Sequence, residues 1–143
     1  MGVYLDKYFG YMLDVTEEYD KLCDKNDDDI LFENFISCNF DKLNKDLQEL
    51  NFVPYYSVSR KHQQNDITMI YDGMCGEYCK LIFINQFERY CNDESDVNME
   101  NKFLKTIAVP DDIREKLTKV YEIIFGKTDK QLNIQLMKLN HYH

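Results

Sequence analysis

The chain has 143 residues, 44% of them hydrophobic and 30% charged, with a net charge of −9. That length and balance suit one globular domain. The acidity argues against nucleic acid, which needs a basic stripe, and against anionic membrane surfaces. No run reaches the roughly 20 apolar residues of a membrane span. The first residues lack the basic-then-apolar pattern of a secretion signal. Five cysteines cannot all pair within one chain, so a reduced, cytoplasmic protein is expected.

Residues 3–24 place Leu5, Tyr8, Phe9, Met12, Val15, Thr16, Tyr19, Leu22 and Cys23 at steps of three and four. That spacing predicts an amphipathic helix. The run Asn26-Asp27-Asp28-Asp29 ends it and caps a second helix. Phe32, Ile36, Phe40, Leu43, Leu47 and Leu50 give that second helix, over 30–50, its apolar stripe, with a break allowed at 37–39.

The period then changes. Residues 52–59, 67–71 and 78–84 are β-branched and aromatic and read as three strands of an antiparallel meander. Asp72-Gly73-Met74-Cys75-Gly76 supplies the turn before the third. Residues 92–101 form an acidic loop, and 102–109 fit either strand or helix. Pro110, Asp111 and Asp112 open a helix over 110–125, with Ile113, Leu117, Val120, Tyr121 and Ile124 inward and Gly126 as its stop. The tail fits a helix through Leu132, Leu136 and Leu139, or a strand through Leu132, Ile134 and Leu136; the helix is preferred. The expected class is α+β: two N-terminal helices, a three-stranded antiparallel meander, then one or two C-terminal helices.

The charge is uneven. Residues 1–51 carry thirteen carboxylates against five lysines, while 52–91 are neutral and 92–143 carry a net −1. An acidic surface made of Asp14, Glu17, Glu18, Asp24, Asp27, Asp28, Asp29, Glu33 and Asp41 is therefore the candidate partner-binding site. Such a field steers a basic protein toward contact. The competing reading is a solvated face that keeps a small protein soluble.

Other chemistry is thinner. Cys75-x-x-x-Cys79 with His141 and His143 has a zinc-like spacing, but the histidines fall at the end of the sequence, where chains fray. Cys75 reads more simply as a turn residue and Cys79 as a core residue. A cysteine nucleophile needs a base, and His62 lies in a polar loop with nothing local to bring Cys75 or Cys91 to it. No phosphate loop, nucleophile elbow or calcium loop is present. No cofactor, metal, nucleic acid or membrane is expected. The class that remains is a small acidic binding protein of the immunity or inhibitor type. An enzyme with a cryptic Cys/His or carboxylate site and a structural assembly subunit are the alternatives, and the sequence leaves the oligomeric state open.

Overall fold

The computed structural model describes residues 5–25, 45–53, 65–72, 76–90 and 109–142. Four strands make one antiparallel sheet: β1 (Leu5–Asp14), β2 (Ile67–Tyr71), β3 (Cys79–Tyr90) and β4 (Ile134–Tyr142), in the spatial order β2-β3-β1-β4. Three helices accompany it among the described residues: α1 (Thr16–Lys25), α2 (Lys45–Glu49) and α3 (Asp111–Phe125).

This order corrects the expected class. There is no pair of N-terminal helices followed by a meander; the first strand lies between the third and the last. The helix expected over 3–24 is β1 followed by α1. β1 misleads because it is central and buried on both faces. Tyr8 and Met12 pack on one side, and Tyr11 and Leu13 on the other. A strand buried twice shows a near-continuous apolar run instead of alternation, and such a run also satisfies a helical template. The aromatic cluster Tyr8-Phe9-Gly10-Tyr11 favours a strand on propensity.

The expected strand over 67–71 is β2, and the one over 78–84 is the first part of β3, which runs on to Tyr90. They pair antiparallel, with Ile67 opposite Phe83. Of the strand expected over 52–59, Phe52 makes a single parallel bridge to Ile67; residues 54–59 lie outside the described residues. Of the helix expected over 30–50, only α2 is described. Asn51, with φ 64°, ends it, in a left-handed conformation that Asn tolerates. The expected helix over 110–125 is α3, with Gly126 at φ 95° beyond it. The tail is corrected from helix to strand: β4 pairs with β1 along its whole length, from Leu13–Ile134 to Leu5–Tyr142. As an edge strand half-buried on both faces, it too lacks clean alternation.

α1, α2 and α3 pack on one face of the sheet. Their Tyr19, Leu47, Leu117, Val120 and Ile124, with Val15 just before α1, join Leu13, Met69, Leu81, Phe83 and Ile134 in one core. The opposite face buries Tyr8, Met12, Ile70, Ile82, Ile84 and Leu139. The register between β1 and β3 shifts between Phe9 and Gly10, with Phe9 opposite Gln86 and Gly10 opposite Ile84, so Asn85 is the extra residue of a bulge. A bulge bends and twists a sheet.

The degree of bending follows from one contact. Lys80 stands opposite Asp14, and His141 stands opposite Asp6. Asp6 and Asp14 are eight residues apart in sequence, a span of about 26 Å at the rise of a strand. Yet the hydroxyl of Tyr78, two residues before Lys80, lies 2.7 Å from Nδ1 of His141. A flat sheet cannot bring these groups together. The sheet is coiled, and its diagonal corners close over the face opposite the helices.

Candidate functional site

The β1–α1 junction is built on Asp14. Its Oδ1 accepts from the Thr16 N–H at 3.0 Å and from the Thr16 hydroxyl at 2.6 Å. The Thr16 hydroxyl in turn accepts from the Cys79 N–H at 2.9 Å, and the Val15 N–H donates to the Cys79 carbonyl at 2.9 Å. The first turn of α1 is thereby fastened to the start of β3. The other Asp14 oxygen meets the Lys80 ammonium at 3.2 Å. The lysine side chain is 15% exposed and the aspartate 61%, so the pair straddles the surface. Partial burial pushes the Asp14 carboxyl up, but the Thr16 hydroxyl and N–H and the Lys80 ammonium outweigh it and hold it below its ordinary value.

Glu17 and Glu18 follow in the first turn of α1, where the positive end of the helix favours carboxylates. Glu17 is exposed and Glu18 half-buried. Burial, then the nearby Glu18 carboxylate, push the pKa of the Tyr121 phenol of α3 up. A groove of about 490 Å³ opens here, lined by Asp14, Glu17, Glu18, Lys21, Lys80 and Tyr121 on one side. Thr128, Lys130, Gln131, Asn133 and Gln135, from the approach to β4 and its start, line the other.

Three of the predicted site residues, Asp14, Glu17 and Glu18, therefore meet in one groove. Asp24 is exposed on the same face of α1 as Glu17, about two turns further along. Asp27, Asp28, Asp29, Glu33 and Asp41 lie outside the described residues. Lys21 shares a face with Asp14, Glu17 and Glu18 in the sequence pattern itself; Lys80 and Lys130 were missed by reading charge along the chain, because only folding brings β3 and the approach to β4 beside α1. The groove is charge-mixed, not uniformly acidic. Tyr121 was read as core; it is buried, and its hydroxyl reaches the groove rim.

The zinc-like set does not assemble as spaced. Cys79 is buried among the helices, and burial raises its thiol well above the ordinary value. His141 stands opposite Asp6, whose even-numbered neighbours Tyr8 and Met12 point to the other face. The expectation that His141 sits on a fraying end is corrected: it is 2% exposed within β4. Cys75, Cys91, His62 and His143 lie outside the described residues. Sequence reasoning missed the group formed by buried His141, its buried cross-strand neighbour Asp6 and half-buried Tyr78. The group closes the coiled sheet and does not line either described groove.

No family model, curated protein or solved structure matches this chain. Among the described residues no helix is long and apolar enough to cross a membrane, and no three metal-binding side chains cluster.

Proposed function

We propose that the protein is a cytoplasmic binding module that engages a basic protein partner through the β1–α1 junction, in the manner of an inhibitor or immunity protein. The observation that carries this reading is the groove at Asp14, Glu17 and Glu18. One of its carboxylates, Asp14, is already oriented, by Thr16 and Lys80. Oriented acceptors need little further ordering when a cationic side chain arrives. Lys21 and Lys130 on the rim are exposed and leave room for exchange of partners across the groove. The wider field supports the same reading, since residues 5–25 carry six carboxylates against three lysines.

The experiment uses the whole chain as bait in extract of its own host, beside a Glu17→Gln/Glu18→Gln/Asp24→Asn variant. Bound proteins are identified by native mass spectrometry. The expected result is a basic protein held by the wild type and lost by the variant, with an association rate that falls as salt is added. Retention of the same partner by the variant, or an association rate indifferent to salt, overturns the reading.

A further inference from the structure

A second groove lies on the helix side of the molecule, between α2 and α3, with a volume of about 440 Å³. Leu50 and Ile123, both half-buried, give it an apolar floor. Its rims differ in sign. Asp46 and Glu49 stand on the α2 side, and Lys119 and Lys127 on the α3 side, with Glu122 between them. Apart from half-buried Glu122, these charged residues are all exposed.

We propose that this groove is a self-association surface whose occupant is a second copy of the chain, related by a twofold axis. The argument is charge complementarity. In a twofold interface each patch meets itself turned around, so a contact of one residue with another occurs twice. A groove with one acidic and one basic rim satisfies that condition: Asp46 and Glu49 of one copy face Lys119 and Lys127 of the other, in both directions. Leu50 and Ile123 of both copies then form a shared apolar centre, where interface energy concentrates. Lys119 now pairs with Glu115 one turn away at 2.9 Å, both side chains more than half exposed. Such a surface pair contributes little, so its exchange for an intermolecular pair costs little. The inference is independent of the proposed function, which concerns the other groove.

The test is the mass of the full chain in solution, by sedimentation and native mass spectrometry. The measurement is made at about 100 μM, where an association as weak as about 10 μM is largely complete. The wild type is expected at twice 17.2 kDa. Lys119→Glu/Lys127→Glu makes both rims acidic, and Asp46→Lys/Glu49→Lys makes both basic. Each variant alone is expected to be monomeric, with circular dichroism confirming its fold, and an equimolar mixture of the two is expected to recover the dimer. A monomeric wild type overturns the proposal whatever the variants do. So does a dimer that survives either charge reversal, or a mixture of folded variants that stays monomeric.

Discussion

Gly10 holds the coil of the sheet, and Gly10→Ala is the sharpest probe of it. Gly10 sits in central strand β1 beside the bulge at Asn85. A Cβ built there overlaps the Phe83 carbonyl oxygen and comes within 3.1 Å of the Asn85 nitrogen. Both atoms are backbone of β3, so no flexible side chain can move aside. Relief requires β1 and β3 to separate locally. Overpacking of this kind costs about 1–3 kcal/mol, and each cross-strand hydrogen bond lost adds about 1 kcal/mol. A total of about 3 kcal/mol follows. With a urea slope of about 2 kcal/mol/M for a small domain, the unfolding midpoint drops by roughly 1.5 M. The control is Gly76→Ala. There φ is 69° and the nearest atom to the new Cβ is the Tyr71 hydroxyl at 3.3 Å; left-handed backbone costs an alanine about 1–2 kcal/mol. If Gly10→Ala unfolds at the same urea concentration as Gly76→Ala, or higher, the strands have slack at the bulge and the reasoning fails.

Three further outcomes are expected. Tyr78→Phe removes the hydroxyl that reaches His141 and leaves the imidazole without that bond in a buried site; unfolding should be easier by about 1–3 kcal/mol, and an unchanged midpoint would mean the corners are not clasped there. Leu117→Ala empties a fully buried position beneath α3 and should cost about 2–5 kcal/mol, read as a lowered midpoint with an unchanged urea slope. The Asp14 carboxyl titrates below its ordinary value in the folded chain. Its contribution to stability is therefore full above the unfolded value of about 3.9 and is lost as pH falls through the folded value. Asp14→Asn should flatten the acid limb of a stability–pH profile below about pH 4 and leave the neutral limb with the same slope; an acid limb as steep as the wild type's would sever Asp14 from the acid response.

The parts of the fold that were legible are those with punctuation or with a short β-branched run between polar segments. α3 has Pro110 before it, Asp111 and Asp112 in its first turn, a clean stripe and Gly126 after it. β2 is a short β-branched run. The parts that misled are β1 and β4. β1 is apolar on both faces, and a helical template counts the same residues. β4 owes its strand state to pairing with β1, a partner some 130 residues earlier in sequence, which no local window contains. The candidate site follows the same division. The excess of carboxylates in residues 1–51 is visible in composition, and it led to Asp14, Glu17 and Glu18. Lys21 shares that helix face in the sequence, but Lys80 and Lys130 come from β3 and the approach to β4, so most of the positive charge in the groove is supplied by the tertiary fold. Asp72 keeps the turn role its sequence position gives it: it is buried, accepts from the Glu77 N–H at 3.2 Å and receives the Gly76 N–H on its carbonyl at 2.8 Å.

The central claim is that the β1–α1 junction receives cationic side chains, and amide NMR of the labelled chain titrated with a short arginine-rich peptide tests it most directly. The claim predicts shifts concentrated at Asp14, Glu17, Glu18, Lys21 and Lys80 at low salt, fading as the Debye length shrinks toward about 8 Å at physiological ionic strength. Shifts spread evenly over all acidic residues, or centred on Asp46 and Glu49 instead, would contradict it.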